Sequence, residues 1–194
     1  MDRIVEATVA AIEAGGEPSL RVNDIARDSD VSVATLYHYF GDREGLVVAA
    51  RLKQYAGSTG IYYDEFSRAM NDASTAEELS NVLCRFFGSA TDPSTRDMRF
   101  LRAEIVGSSR TRPQLAAALR EVQEDLASKL TAVFASAQER GLLRRSFSPR
   151  DTAEFALAIH MGSVLPDLLA GDSGAKSLDP VFTHLVDSML VAAS

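Results

Sequence analysis

The sequence is poor in the residues that build disulfide frameworks, metal sites and membrane spans. Its 194 residues include one cysteine, Cys84, no tryptophan and six prolines. A lone cysteine excludes a disulfide framework and a cysteine metal site. No run of 18 or more apolar residues is present, so the sequence predicts no transmembrane helix. The N-terminal segment lacks the basic-then-apolar layout of a signal peptide, and we expect a soluble, cytoplasmic protein.

Motifs of the common enzyme classes are also missing. The sequence contains no phosphate-cradling glycine loop, no H-E-x-x-H and no G-x-S-x-G. Its three histidines, His38, His160 and His184, lie near no acidic or cysteine cluster with metal-ligand spacing. We therefore predict no catalytic residue, no metal ion and no cofactor. An all-helical enzyme is kept as an alternative that requires a set of convergent ionisable groups.

Hydrophobic periodicity predicts helices along the chain, with no competing strand signal. Glycines, prolines and capping residues place helices at about 2–14, 22–29, 33–39, 43–56, 76–90, 93–108, 113–140, 149–170 and 179–192. The fourth helix can extend to about 71, with a kink or break at Gly57 and Gly60 because glycine weakens a helix. Residues 171–177 are predicted to form a loop.

Residues 20–47, LRVNDIARDSDVSVATLYHYFGDREGLV, are the most informative segment. They predict a helix, a tight turn at Asp30 and a second short helix. Ala26 is small enough for two crossing helices to touch, and the apolar residues beneath the crossing are Ile25, Val31 and Leu36. The pattern is typical of a DNA-binding helix-turn-helix, whose second helix enters the major groove. A three-helix bundle without DNA-binding activity is the alternative.

This segment resembles the tetracycline-repressor (TetR) family of bacterial transcription regulators. The resemblance rests on DIA at 24–26, VSVATLYHYF at 31–40 and the D-R-E-x-L run at 42–46. It implies an all-α fold of about nine helices. Residues 1–45 would form a three-helix DNA-binding domain with the helix-turn-helix, and residues 46–194 a helical-bundle domain for ligand binding and dimerisation.

The resemblance also assigns residues to DNA contacts. It implies phosphate contacts for Thr35 and Tyr37, base-edge contacts for Ala34 and His38, and a phosphate contact for Arg43. Arg21 and Asn23, at the start of the helix before the turn, could contact the opposite backbone. The full set of predicted DNA-binding residues is Arg21, Asn23, Ser32, Val33, Ala34, Thr35, Tyr37, His38, Tyr39 and Arg43. The reading helix carries no formal charge, so bases would be read through hydroxyls, methyl contacts and the His38 ring.

Net charge is unfavourable for a DNA-binding protein. The chain carries −7 at pH 7, and residues 1–55 contain six basic and nine acidic side chains, a net charge of −3. Phosphate contacts normally supply much of the affinity for DNA. We therefore expect modest non-specific affinity and a binding mode that depends on two copies acting together.

The C-terminal region is rich in apolar and aromatic residues. The resemblance implies a pocket for a small effector, whose binding moves the fourth helix and changes the spacing of the reading helices in a dimer. Predicted ligand-binding residues are Phe86, Phe100, Leu101, Phe134 and His160, although plain core packing is an alternative for each. A regulator of the same fold that responds to a protein partner, without a small-molecule effector, is the alternative function.

Helices near 149–170 and 179–192 are too apolar for solvent-facing helices and predict a homodimer interface. Small residues at Ala153, Ala156, Ala158 and Gly162 would let helices of two subunits approach closely. Twofold symmetry then predicts a palindromic operator in double-stranded DNA.

Overall fold

The computed structural model describes residues 1–170 and 178–192, apart from the side chains of residues 59–62 and 170. The α-helices in this part of the chain are α1 (Asp2–Gly15), α2 (Val22–Ser29), α3 (Val33–Phe40), α4 (Arg43–Asp72), α5 (Ala76–Ser89), α6 (Arg96–Ser109), α7 (Pro113–Glu139), α8 (Pro149–Gly162), α9 (Val164–Ala170) and α10 (Asp179–Leu185). Within the described residues there is no strand, only an isolated antiparallel bridge between Leu143 and Val191. The predicted all-α fold is confirmed.

The chain divides into two compact units. The N-terminal unit comprises Met1–Ser58 and Ile105–Arg120, and the C-terminal unit comprises Thr59–Glu104 and Glu121–Ser194. Helices α4, α6 and α7 each pass from one unit into the other. The predicted functional boundary between residues 45 and 46 falls within α4 and stays a prediction.

The N-terminal unit is built around a small apolar core. Its buried members are Ile4, Ile12, Leu20, Ile25, Ala26, Leu36, Leu46 and Ala50. Val31 packs against this core from the turn between α2 and α3. The predicted apolar residues beneath the helix crossing are therefore confirmed. Because α2 and α3 have eight residues each, too few for a stable isolated helix, this packing is what keeps them folded.

Helix α4 extends beyond residue 56 to Asp72, which confirms the predicted extension to about 71, and it continues without a break through Gly57 and Gly60. The predicted break is wrong because apolar burial outweighs the roughly 1 kcal/mol that each glycine costs a helix. Tyr55, before the glycines, and Met70, after them, are both buried. At the C-terminal end, the Arg140 guanidinium donates to the carbonyl oxygens of Met70 (2.6 Å) and Ala73 (2.7 Å).

The predicted helix 149–170 is divided into α8 and α9 at Ser163. Pro166 explains the break, since proline has no N–H to donate to the Gly162 carbonyl and is tolerated only in the first turn of a helix. The predicted helix 179–192 also ends early. Its last part, Val186–Leu190, is a π-helical turn that leads into the bridge at Val191. The predicted loop 171–177 lies outside the described residues.

A buried ion pair joins α6 to α9 within the C-terminal unit. The Arg99 guanidinium donates to both carboxylate oxygens of Asp167, at 2.6 and 2.9 Å. It also donates to the Asp92 carbonyl and the Thr95 hydroxyl. Both side chains are 2% exposed. The hydrogen bonds from Arg99 hold the pKa of Asp167 below its usual range despite the opposing effect of burial.

We predict that Asp167→Ala destabilises the protein by about 3–5 kcal/mol, because it leaves Arg99 buried without its partner. The double variant Arg99→Met/Asp167→Leu should recover much of this loss, since it removes both charges. Urea unfolding followed by circular dichroism measures the difference. Because the folded pKa of Asp167 lies below the unfolded value, the stabilisation is present at neutral pH and lost as the pH falls through the folded pKa. Equal losses in the single and double variants would contradict this account.

Candidate functional site

The turn between α2 and α3 has the geometry that the sequence predicts. Asp30 adopts a left-handed conformation, with φ 58° and ψ 46°. The N–H of Val31 donates to the Ala26 carbonyl at 3.0 Å, which closes the end of α2. Ser32 then caps α3, because its hydroxyl accepts a hydrogen bond from the Thr35 N–H at 3.0 Å. These bonds set the angle at which α3 leaves the turn.

Helix α3 buries one side and exposes the other. Leu36 is fully buried, whereas Tyr37 and Tyr39 are 42% and 54% exposed. Of the other predicted DNA-reading residues on this helix and its cap, Ser32, Ala34 and His38 are exposed, and Val33 and Thr35 are half-buried. The His38 ring meets the Tyr39 ring edge-on, with centroids 5.3 Å apart. The exposed face therefore offers hydroxyls, a methyl group and an imidazole.

The start of α4 is held close to the end of α3. Any Cβ at Gly45 would lie 1.8 Å from the Phe40 carbonyl oxygen, so only glycine fits. The Gly45 N–H donates to the Asp42 carboxylate at 2.8 Å, which caps α4 as predicted. Arg43, the first residue of α4, is half-buried, and its guanidinium donates to the Glu17 carbonyl oxygen. This contact is not evident from the sequence, because 26 residues separate the partners.

The predicted contacts at the start of α2 lie on the surface. Asn23 is exposed, and the exposed Arg21 donates to the Pro18 carbonyl at 3.1 Å. Arg27 forms ion pairs with Asp24 (2.9 Å) and Asp28 (3.4 Å). Surface pairs of this kind contribute little to stability. They do, however, neutralise cationic charge that would otherwise attract phosphate.

Three of the five predicted ligand-binding residues meet in one aromatic cluster of the C-terminal unit. Phe66, which the sequence analysis does not single out, stacks on Phe86 at 4.0 Å and meets Phe134 at 6.0 Å. The Phe86 ring also lies 4.5 Å from the His160 ring. The other two residues, Phe100 and Leu101, are half-buried on α6, and the Arg96 guanidinium lies over the Phe100 ring at 5.5 Å.

His160 is held neutral by its surroundings. Burial, the largest influence, lowers its pKa, and the positive charge of Arg102 acts in the same direction, whereas hydrogen bonds to the Ala156 and Phe86 backbone oppose this shift. Its Nδ1 lies 2.9 Å from the Ala156 carbonyl, which can only accept, so Nδ1 carries the proton. A neutral imidazole among phenyl rings favours contact with an uncharged, apolar group.

A second apolar site adjoins this cluster, because Phe87, which lines the site, meets the Phe86 ring edge-on with centroids 5.5 Å apart. It is a pocket of about 290 Å³ beside α5, α8 and α10. Most of its lining is apolar and comes from Phe87, Phe147, Phe155, Ile159, Phe182, Leu185, Met189 and Leu190, with Asp151 and Thr152 also contributing. None of these residues is among the predicted ligand-binding residues. The apolar patterns of 149–170 and 181–193 are the sequence signals that point to this region.

The described part of the chain has neither a metal centre nor a membrane-spanning helix. It contains no group of three or more His, Cys, Asp or Glu side chains that could hold a metal ion. None of its helices is long and apolar enough to cross a membrane.

Two family profiles match the sequence. Residues 4–50 match bacterial regulatory proteins of the tetR family, and residues 68–191 match the C-terminal region of BetI-type transcriptional repressors. The chain belongs to the TetR family. It is therefore a DNA-binding transcription regulator, and α3 corresponds to the reading helix of its helix-turn-helix.

Individual TetR-family proteins share the fold and part of the sequence. The HTH-type transcriptional repressor KstR of Rhodococcus jostii (strain RHA1) is 36% identical over 53 residues, which are 27% of this chain and only 25% of KstR. A TetR-family regulator structure from Rhodococcus sp. has a TM-score of 0.66 at 25% identity, over 97% of this chain and 96% of the other. FadR of Bacillus subtilis, in complex with stearoyl-CoA, has a TM-score of 0.59 at 17% identity, over 95% and 96% of the two chains.

We predict that substitutions on α3 and at the start of α4 separate affinity from specificity. Tyr37→Ala and Arg43→Ala should weaken binding to all duplexes, because each removes a phosphate contact, whereas His38→Ala should change the preferred sequence. Fluorescence anisotropy with selected and scrambled duplexes measures both effects. Tyr37→Phe isolates the hydroxyl, and Arg68→Ala on the exposed surface of α4 controls for loss of one positive charge. If all three alanine variants bind like the wild type, α3 is not the reading helix.

Proposed function

We propose that this protein is a homodimeric repressor. It binds a palindromic operator through α3 and releases it when a small, largely apolar ligand binds the C-terminal helices. We assign DNA binding to residues 1–45, ligand binding and dimerisation to residues 46–194, and no catalytic role to either part. The observation that carries the proposal is an exposed, uncharged reading face on a helix whose opposite side is anchored by Leu36.

Operator contacts would combine a few positioned groups rather than a basic surface. Thr35 and Tyr37 would contact phosphates, and Ala34 and His38 would contact base edges. Arg21, Asn23, Arg43 and the rim residues Ser32, Val33 and Tyr39 would complete the interface. Because the first 55 residues carry a net charge of −3, one module should bind weakly. Two modules joined in a dimer compensate, since the second binding event becomes intramolecular.

Exposed apolar side chains support a dimer interface on α8, α9, α10 and the turn Val186–Leu190. They are Phe155, Leu165, Leu168, Leu169, Val181 and Met189, with Leu169 90% exposed. Not all of the predicted small residues can contribute. Ala153 and Ala156 are fully buried in the core of their own chain, whereas Ala158 and Gly162 are exposed on the same helix as Phe155. Large apolar side chains left this exposed favour an interaction site on these helices.

Selection of bound sequences from a random duplex pool tests the proposal. The full chain at low salt should enrich a palindrome, with half-sites about one helical turn or a multiple of it apart. A consensus without internal symmetry would contradict a twofold dimer. No enrichment would contradict operator binding itself.

Ala158→Arg should convert the dimer to a monomer and lower operator affinity, because it places a charge in the proposed interface. Sedimentation equilibrium gives the mass, and anisotropy with the selected duplex gives the affinity. Ala117→Arg, at an exposed alanine of α7, is the matched control and should remain dimeric. A dimer that persists in Ala158→Arg would place the interface elsewhere.

The aromatic cluster supports an apolar effector. Phe66, Phe86, Phe134 and the neutral His160 form one continuous set of ring contacts in the C-terminal unit. FadR, whose structure contains stearoyl-CoA, has the same overall fold. An apolar molecule that inserts among these rings would exclude water from the half-buried Phe86 and His160, which favours binding by roughly 25 cal/mol for each Å² buried.

A melting series with 1-decanol and other uncharged apolar probes should raise the melting temperature of the full chain. At 100 times the dissociation constant we expect about 2.7 kcal/mol of stabilisation, or roughly 5–10 °C. Phe86→Ala should abolish the shift, whereas Phe147→Ser in the second pocket should retain it. The reverse result would assign the ligand to that pocket. Absence of a shift with every probe would favour control by a protein partner.

A further inference from the structure

A charged cluster in the N-terminal unit is centred on Glu17. Its carboxylate accepts from the Arg51 Nε at 2.7 Å and from the Arg112 Nη1 at 3.0 Å, and the second Arg112 nitrogen donates to the other oxygen. Arg112 Nε also lies 3.2 Å from the Glu44 carboxylate. The Glu17 side chain is 15% exposed and that of Arg112 is 24% exposed. Two charged groups so far removed from water interact more strongly than a surface pair.

Local sequence explains why Glu17 reaches this position. Gly16 has φ 73° and ψ 167°, a conformation open essentially only to glycine, and it turns the chain sharply after α1. Pro18 then lies in a short 3₁₀ turn, Glu17–Ser19, that fixes the backbone of Glu17. The carboxylate and the carbonyl of Glu17 are thus presented to different partners.

Those partners connect two distant parts of the chain. Arg112 lies in the short connection between α6 and α7, 95 residues from Glu17. Both helices continue from this connection into the C-terminal unit. On the other side, the Glu17 carbonyl accepts from Arg43, the first residue of α4 and the third after the end of α3. Glu17 therefore lies between the α6–α7 connection and the end of the reading helix.

We propose that Arg112 is a positioning residue for DNA binding, which acts through Glu17 and Arg43 to hold the start of α4 and the reading helix in a DNA-competent arrangement. The inference rests on the proposed operator binding. It adds a route by which a displacement of α6 and α7 would lower operator affinity, because such a displacement withdraws Arg112 from Glu17.

The ion pair between Glu17 and Arg112 is charged on both sides, so separating the two groups has a clear electrostatic cost. Hydrogen bonds from Arg112 hold the pKa of Glu17 below its usual range, and Glu17 in turn raises the pKa of Arg112. Both groups are therefore charged at neutral pH. Without Arg112, Glu17 keeps its ion pair with Arg51, and the half-exposed Glu44 loses its ion pair with Arg112. The remaining charged side chains of the cluster must then rearrange.

Four variants of the full chain test the proposal with the operator selected from the random pool. Arg112→Met breaks the contact with Glu17, and Arg112→Lys keeps the positive charge but cannot form the bidentate hydrogen bonds. Arg110→Met is the matched control, since Arg110 is an exposed arginine in the same connection. Glu17→Gln/Arg112→Met breaks the contact from both sides and has the net charge of the wild type.

We expect Arg112→Met to weaken operator binding by about 3- to 30-fold, with Arg112→Lys intermediate and Arg110→Met within about twofold of the wild type. The double variant should be as weak as Arg112→Met, because each change breaks the same contact. The slope of log affinity against log salt should not change, because Arg112 does not contact phosphate. In the wild type, operator binding should slow amide exchange at residues 109–112 and 114, and in the double variant it should not.

Three results would overturn the proposal. Full affinity in the double variant would mean that only net charge matters. A salt slope lowered by about 1 in Arg112→Met would mean that Arg112 itself contacts phosphate. Equal affinity in Arg112→Met and Arg110→Met would mean that the contact has no role in DNA binding. If the wild type selects no operator, the proposed function is wrong and the inference fails with it. If the wild type selects an operator but one of these three results is obtained, only the inference is wrong.

Discussion

Burial of Leu36 is the constraint on which DNA reading depends. A helix of eight residues cannot hold its shape alone in water, so α3 exists because one side is anchored in the core. Leu36 is completely buried, with Ile25 and Ala26 of α2 in the same apolar cluster. That anchor determines which side chains remain outside. Tyr37, His38 and Tyr39 are exposed because Leu36 and the half-buried Phe40 take the inner positions, so the reading face is a direct consequence of core packing.

Electrostatics then shape the rest of the interface. Several arginines of the DNA-binding module are engaged with its own carbonyls and carboxylates, as Arg21, Arg27 and Arg43 show. A guanidinium has five N–H donors, so such contacts fix its position without exhausting its capacity. The DNA-binding domain therefore has less unpaired positive charge, but its arginines are held in defined positions. This arrangement favours specificity over indiscriminate attraction to phosphate, and it would make the proposed dimerisation more important than in a strongly basic protein.

Local features of the fold could be predicted from the sequence, whereas distant contacts could not. The turn at Asp30 and the bounds of α5 and α7 depend on neighbouring residues, and the structure agrees with the predicted turn and with the predicted ranges 76–90 and 113–140 to within one residue. The continuity of α4 through Gly57 depends on tertiary burial, which no local propensity encodes. The break between α8 and α9 at Ser163 does have a local signal, which is Pro166. The prediction of one helix over 149–170 followed the apolar periodicity instead, because that pattern continues across the break.

The functional sites show the same division. The exposed residues of α3 lie close together in sequence, so the motif predicts which side chains face outward, and their contacts with DNA stay a prediction. The aromatic cluster joins Phe66, Phe86, Phe134 and His160 from four helices, so composition indicated the region and only packing shows which rings meet. The Glu17 cluster is harder still, because a lone glutamate after two glycines carries no sequence signal for a partner 95 residues away. Yet the physical requirement is simple. Besides the continuous helix α4, side chains that contact both the α6–α7 connection and the start of α4 can carry a displacement to the reading helix, and the charged contacts of Glu17 are of this kind.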